Sequence, residues 1–485
     1  MPQCTIVIKD YVNVKIEGLD PSTRQKIVNA LKFTDPTARH TPRFKLGRWD
    51  GKIPFCTAAG STYFNLLDRA IPILEQNKYE ILIDDRRPDI DLEFPVIDNT
   101  YFSHKNWPKS HRLEGQPIIL NPYQVRAANT FLENTQSIMT LSTGLGKTVL
   151  SALLSSVIEK YGRSILIVPS VDLVLQTERD YKNLDLDVGV YYGNRKEWNH
   201  KHTIATWQTF NFFRKEHKKY DKDASMDDFK KDVVCVMVDE CHTAKGKELN
   251  ELMTSTFSKV PIRWGFTGSV PLEDYQSISI LTSIGPLAGE IKSSELQEKN
   301  ALPKCEIELI QLNDDHVEFS DYDSEHRFLL TDKERIKHIA GMISDWTKTG
   351  NTLVLVDRIP AGEELQKLIP NSVFISGSVK NKKRKEEYDT INIENQKVII
   401  ATYGVASTGI SIDRLFNIVL FEAGRSFIRA TQSIGRGLRF GIDKDFFMIY
   451  DICSTLKFSK RHLAKRKIYY NDAKMPVKLK KISYR

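Results

Sequence analysis

The segment Leu141-Ser-Thr-Gly-Leu-Gly-Lys-Thr148 constrains this chain more than any other. It follows an apolar run of strand length, Ser137–Leu141, and opens a stretch of helical spacing, Thr148–Lys160. A glycine-rich turn between a strand and a helix N-terminus is a phosphate cradle, because backbone N–H groups face inward and the helix dipole adds positive potential. Gly144 and Gly146 supply the conformational freedom, and Ser142, Thr143 and Leu145 complete the turn. Lys147 would reach β- and γ-phosphates, and Thr148 would ligate Mg²⁺. Leu stands at 141 where the full G-x-x-x-x-G-K-[ST] pattern has Gly. Alone, the segment also fits a turn carrying a solvated lysine.

A second element separates these readings. The apolar run Val233–Val238 ends in Asp239-Glu-Cys-His242, 92 residues after Lys147. A phosphate loop of this kind needs a carboxylate on a neighbouring strand end for Mg²⁺, and Asp239 supplies it. Hydrolysis also needs a group that positions and deprotonates water, the role read for Glu240. Cys241, beside that acid pair, is expected to pack rather than react, and His242 to couple rather than ligate.

The surroundings predict an α/β fold. Ser137–Leu141, Ile165–Val168, Thr203–Ala205, Val233–Val238 and Arg263–Phe266 have the length of buried strands, with helical stretches such as Asp172–Lys182 between them. The rhythm restarts with Thr352–Val356, Val373–Ile375, Lys397–Ala401 and Phe416–Phe421. The expected layout is a small N-terminal α+β domain over 1–85, a linker over 86–115, parallel-sheet domains over 116–297 and 298–455, and a basic tail over 456–485.

Charge location matters more than total charge. The formal net charge is +8, yet Lys457–Arg485 holds 11 basic residues against one acid, Asp472. The rest of the chain has 59 basic and 61 acidic residues, so the tail is expected to grip a polyanion through salt-sensitive contacts, with solubility as its alternative role. Six scattered cysteines without a C-x-x-C pair argue for reduced thiols. No apolar stretch has membrane-spanning length, and the start shows no secretory pattern, so a cytoplasmic chain is expected.

Asp-Glu-Cys-His after a phosphate loop resembles the superfamily 2 helicases and translocases, and further segments follow in that family's order. Tyr123-Gln124 precede the loop like the family's adenine-reading glutamine. Val168-Pro-Ser-Val-Asp-Leu-Val-Leu-Gln176 and Ala205-Thr-Trp-Gln-Thr209 resemble loops that touch the nucleic-acid backbone, which implies such roles for Pro169, Ser170, Gln176, Thr206 and Gln208. Thr267-Gly-Ser269 resembles the motif linking hydrolysis to strand movement, implying that Thr267 and Ser269 couple together with His242. Gln432-Ser-Ile-Gly-Arg-Gly-Leu-Arg439 resembles the family's Gln-x-x-Gly-Arg-x-x-Arg segment. There Gln432 would couple, while Arg436 and Arg439 would reach across an interlobe cleft to neutralise transition-state charge.

In Ala401-Thr-Tyr-Gly-Val-Ala-Ser-Thr-Gly-Ile-Ser-Ile-Asp413, the resemblance implies a backbone contact at Thr402 and close approach at Gly409, with Ser411 or Asp413 taking the acidic position. Pro42–Gly51 and the forms of these motifs look like phage helicases of the UvsW type. The resemblance thus implies two tandem RecA-like domains, ATP and Mg²⁺ as cofactors, and branched or forked DNA as partner; a monomer is compatible with it. RNA helicase activity, a restriction-system motor and a nucleotide-switched annealing module are the rivals. In Arg43–Lys52, cations alternate with Phe44 and Trp49. That pattern suits nucleic-acid contact and equally suits packing of the small domain. The run Lys380–Lys385 is expected to be an exposed helix start.

Overall fold

The computed structural model describes residues 2–35, 37–109, 111, 113–142, 145–220, 225–268, 274–292, 295, 304–377, 390, 394–407, 414–423, 446–472 and 475–485. They form two compact units. The first comprises 1–108, 115–141 and 146–290, and the second 109–114, 142–145 and 291–485.

The first unit begins with a four-stranded sheet in the order Ser61–Tyr63, Asn13–Glu17, Gln3–Ile8, Glu80–Asp85. Its inner face packs Ile6, Ile8, Val14 and Ile16 against Ile27 of the helix Pro21–Ala30 and Leu74 of the helix Leu67–Gln76. The second of these helices starts at Leu67, after Tyr63 has paired with Asn13 as the end of an edge strand. Asp20 caps the first helix by accepting from Ser22 N (2.8 Å) and Thr23 N (3.0 Å).

The second sheet of this unit runs Arg195–Lys196, Val188–Tyr192, His202–Thr206, Arg163–Val168, Val233–Asp239, Ile262–Thr267, Gln136–Leu141, Leu287–Ile291. From Val188–Tyr192 through Gln136–Leu141 every pairing is parallel. Such strands are covered on both faces, so they read as continuous apolar runs rather than alternating ones. Parallel order also brings all their carboxyl ends to one edge, where α/β proteins build sites. Leu141, Thr267, Asp239, Val168 and Thr206 end adjacent strands along that edge.

The small domain is tied to this sheet. Tyr11 N donates to Ser258 O (3.1 Å), Asn13 Nδ2 to Thr254 O (3.0 Å) and Gln136 Nε2 to Tyr11 O (3.1 Å). Ile278, on the helix Asp274–Ser283, enters the small domain's core.

In the second unit seven strands are ordered Ser372–Ile375, Val398–Thr402, Thr352–Val356, Asn417–Phe421, Phe446–Ser454, Lys304–Leu312, Val477–Ile482, all parallel. The segment read as a tail is part of this sheet. Val477–Ile482 pairs along Ile307–Leu312, and the helix Lys457–Asp472 packs on the strand Phe446–Ser454. Residues 86–108, read as linker, carry little regular structure but bury Ile97 and Phe102. All six cysteines are buried and unbridged. Among the described residues no helix is long and apolar enough to cross a membrane.

Candidate nucleotide site and nucleic-acid interface

The turn after Leu141 is shaped by Gly146, whose φ of +84° is left-handed. A Cβ at this position would lie 2.6 Å from Gln124 Nε2. Gly146→Ala therefore combines backbone strain with a clash. Gln124 closes a capping box at the start of the helix Pro122–Glu133. Its Oε1 accepts from Asn121 N (3.0 Å), while Asn121 Oδ1 accepts from Gln124 N (2.9 Å). The expected adenine-reading glutamine thus has its amide carbonyl committed to the helix cap and its amide nitrogen beside the loop. Tyr123 is buried with it. Thr143 and Gly144 lie outside the described residues; Leu145 is buried, and Thr148 is partly exposed on the first turn of the helix Lys147–Ile158.

Lys147 Nζ reaches Glu240 Oε1 at 3.2 Å. Burial works against the ammonium, but attraction from Glu240 and Asp239 outweighs it and holds the lysine's pKa above its ordinary value. The acids are aimed by an unusual backbone: Glu240 is a non-glycine residue at φ +51°. Conformations of this kind cost about 1–3 kcal/mol and concentrate at functional sites. Here Glu240 N donates to Asp239 Oδ1 (2.9 Å), and Glu240 O accepts from Thr243 N and Thr243 Oγ1, each at 2.9 Å. Burial raises the Asp239 carboxyl, while Lys147 and His242 overcome burial to lower that of Glu240.

Two of the residues expected to couple, His242 and Thr267, meet at the same edge. His242 Nδ1 lies 3.0 Å from Thr267 Oγ1 and 3.3 Å from Glu240 Oε2. One difference from the sequence reading is topological. The strands ending at Leu141 and Asp239 are not adjacent, because Ile262–Thr267 lies between them. That interposed strand delivers Thr267 to His242. Gly265 on it permits the packing: a Cβ there would come 2.6 Å from Ile138 Cγ2 and 2.9 Å from Cys241 Sγ. Burial holds the Cys241 thiol far above its ordinary pKa, which fits a packing role. Ser269 lies outside the described residues.

The donor set suits a hard cation held mainly by oxygen and phosphate. No group of three or more His, Cys, Asp or Glu side chains among the described residues forms a metal cage. One carboxylate, Asp239, and one hydroxyl, Thr148, fit the way Mg²⁺ is bound beside nucleotide phosphates. Among the described residues the buried Ser142 hydroxyl next to the loop has no hydrogen-bond partner, which fits a group that would bond a ligand.

The residues expected at the nucleic-acid backbone divide. Ser170 caps the helix Val171–Asn183, accepting from Leu173 N at 3.4 Å. Pro169 and Gln176 are partly exposed and Gln208 is exposed. Thr206 is buried, and its Oγ1 lies 2.9 Å from Thr209 Oγ1. Its hydroxyl caps the following helix, an assignment that sequence spacing does not distinguish from a phosphate contact. Thr402 ends the strand Val398–Thr402, partly exposed. Gly409, Ser411, Asp413, Gln432, Arg436, Arg439 and Lys380–Lys385 lie outside the described residues.

A buried charged cluster in the second unit carried no motif signal: the charges that build the C-terminal segment into that unit. Arg466, 1 % exposed, donates from Nε and Nη2 to the buried Asp451 at 2.8 and 2.9 Å. Arg335 pairs with Asp314 and Glu422, Ser459 Oγ donates to Glu422 (2.9 Å), and Ser454 Oγ donates to Asp314 (2.6 Å). Glu325 receives the N–H groups of Phe458 and Ser459 at the start of the C-terminal helix.

Three family models match in chain order: the N-terminal domain of DNA helicase UvsW over 3–84, the res subunit of type III restriction enzymes over 117–271, and the helicase conserved C-terminal domain over 334–441. The ATP-dependent DNA helicase UvsW of Enterobacteria phage T4 is 25 % identical over 490 aligned positions, covering 95 % of this chain and 92 % of that protein. Among solved structures, Dbp5 of S. cerevisiae bound to RNA and ADP BeF3 aligns with TM-score 0.54 at 15 % identity, covering 76 % of this chain and 90 % of that one. A fragment of a type I restriction HsdR subunit from Vibrio vulnificus aligns with TM-score 0.55 at 14 % identity, covering 74 % and 67 %. These two share the fold of tandem RecA-like sheets. With its N-terminal, loop-bearing and C-terminal segments matched in this order, the chain is similar along nearly its whole length to the UvsW-like helicases, and its two larger segments carry helicase-type models of ATP-hydrolysing enzymes.

Proposed function

We propose that this protein is an ATP- and Mg²⁺-dependent DNA helicase or translocase that remodels branched duplexes such as forks, D-loops and Holliday junctions, acting in the cytoplasm of an infected host. The observation that carries the reading is the arrangement at one sheet edge of Lys147, Asp239, Glu240, His242 and Thr267, with Glu240 bonded to both Lys147 and His242. Lys147 holds the phosphates, and the loop amides orient them. Asp239 and Thr148 would hold Mg²⁺, which when bound offsets charge on the transferring phosphoryl group. Glu240 positions and deprotonates the attacking water. His242 and Thr267 register the state of Glu240 and pass it along the sheet edge. Arg436 and Arg439 supply the remaining positive charge.

The test is a comparison of ATPase stimulation by single strand, duplex, fork, four-way junction and RNA. Stimulation greatest on forks and junctions is expected, and Lys147→Ala is expected to abolish it. Equal stimulation by linear and branched DNA defeats the branched-substrate reading. Stimulation by RNA alone defeats the DNA reading, and unchanged hydrolysis in Lys147→Ala defeats the site.

A further inference from the structure

Glu240 stands in a backbone region that its own side chain does not favour. Its φ and ψ are +51° and +49°, left-handed values that glycine adopts freely and that Asn and Asp tolerate better than longer side chains. The fold leaves the chain little choice there. The strand Val233–Asp239 ends at the sheet edge, and Cys241, two residues on, is already buried in the core with Val238, Leu249 and Leu252. Glu240 has to make the whole change of direction. A conformation of this kind persists only where surrounding bonds hold it.

Those bonds come from both sides of the Glu240 Cα. The two peptide planes that flank a residue fix the direction of its Cα–Cβ bond. On the amino side, Glu240 N donates to Asp239 Oδ1 at 2.9 Å. On the carboxyl side, Glu240 O accepts two bonds from one residue, Thr243, whose N–H and Oγ1 each lie 2.9 Å away. Thr243 O accepts in turn from Gly246 N at 3.0 Å, which closes the turn Cys241–Lys245. Any residue but proline can offer the Thr243 N–H bond; the hydroxyl bond needs Thr or Ser. With both planes held, the Glu240 side chain leaves the backbone in one direction, and its carboxylate lies 3.2 Å from Lys147 Nζ and 3.3 Å from His242 Nδ1.

We infer that Thr243 is a positioning residue for ATP hydrolysis: its hydroxyl pins the Glu240 carbonyl, keeps that residue left-handed and so aims the carboxylate at the attacking water. This rests on the reading of Glu240 as the group that positions and deprotonates water, and it adds what keeps Glu240 in place. Thr243 acts through Glu240 alone, so its loss falls on the chemical step. The loop amides and Lys147, which hold the nucleotide in that reading, do not depend on it.

The test compares two variants of the full chain, with forked DNA present. Thr243→Val keeps the side-chain shape and removes the hydroxyl, and Thr243→Ser keeps the hydroxyl. A misplaced reacting group costs up to about a hundredfold in rate, and with the N–H bond retained Thr243→Val is expected to lower kcat about tenfold. KM for ATP is expected to stay within about twofold, because only an interaction of the chemical step is lost. Thr243→Ser is expected to restore kcat. In the nucleotide-free protein, amide hydrogen exchange over residues 239–246 is expected to quicken in Thr243→Val and to return to the wild-type rate in Thr243→Ser. Should Val at this place unfold the protein, Thr243→Ala carries the same comparison.

Wild-type kcat in Thr243→Val overturns the inference. So does a loss in Thr243→Ser as large as in Thr243→Val, or a loss that falls on KM instead of kcat. Glu240→Gln separates this from the reading beneath it. That variant is expected to abolish hydrolysis, and hydrolysis at the wild-type rate would refute the role of Glu240 itself, whatever Thr243 shows.

Discussion

Two basic segments of this chain look alike in sequence and differ in structure. Residues 39–52 carry five Lys and Arg against one acid, and Lys457–Arg485 carries 11 against one. By charge density the second is the stronger candidate for polyanion binding. In the structure several of its charges are already used. Arg466 is buried on Asp451, Lys478 and Lys480 face Glu306 and Glu308 at 2.8 and 3.7 Å, and Arg485 binds Asp332 at 2.7 Å. Lys457, Lys460, Arg461 and Lys465 remain exposed on the helix, with Lys457 and Arg461 over the Phe458 ring. Among the described residues the shorter segment keeps all its cations unpaired, and it exposes Phe44 and Leu46. Net charge counts residues; binding depends on which of them still lack a counter-charge.

The sharpest way to break this comparison is to delete 457–485. The deletion removes an edge strand, a helix and the partners of Asp451, Glu325 and Glu422. Loss of folding of the second unit is expected, seen as rapid proteolysis of residues beyond about 300, rather than a folded protein with weakened DNA affinity. Next in size is Arg466→Ala. It leaves Asp451 buried without its cation, a change that costs roughly 3–5 kcal/mol, to be read by denaturant unfolding. Retention of wild-type stability would mean that the buried pair does not clasp the segment.

Smaller is the effect of Arg43→Ala, Lys45→Ala and Arg48→Ala together. These changes should leave stability nearly unaltered and lower the slope of log affinity against log salt by about 0.9 for each phosphate left without its cation. The smallest effect is expected for Lys478→Ala with Lys480→Ala. Exposed pairs of this kind contribute about 0–1 kcal/mol, and the salt slope should stay where it was. If this pair lowers the slope more than the loop variant does, the assignment of the two segments is reversed.

The candidate nucleotide site was legible because the residues that compose it stand in short contiguous runs. A phosphate-cradling loop needs glycines and a lysine at fixed spacing, which marks Gly146 and Lys147, and Asp239-Glu-Cys-His242 is marked by a strand end. The adjacency of these runs was less legible. Sequence places the acid on a neighbouring strand, whereas the fold inserts Ile262–Thr267 between them, because parallel strand order is set by helix crossovers and not by chain order. Thr206 shows the same limit: that its hydroxyl is buried and accepts from Thr209 N at the start of the next helix follows from the fold and not from the spacing. The strand Val477–Ile482 was hidden by its own lysines, since an edge strand with exposed cations lacks the apolar run that marks a central one.

By itself the sequence determined the alternation of strands and helices, the phosphate loop and its acids, and the family order of motifs. Each depends on a period or a turn spanning a few residues. Tertiary structure alone decided which charges are free. An ion pair such as Arg466–Asp451 or Lys478–Glu306 joins residues 15 and 172 positions apart. Whether a cation is neutralised depends on what the fold brings within about 3–4 Å of it, a distance on which chain separation is silent.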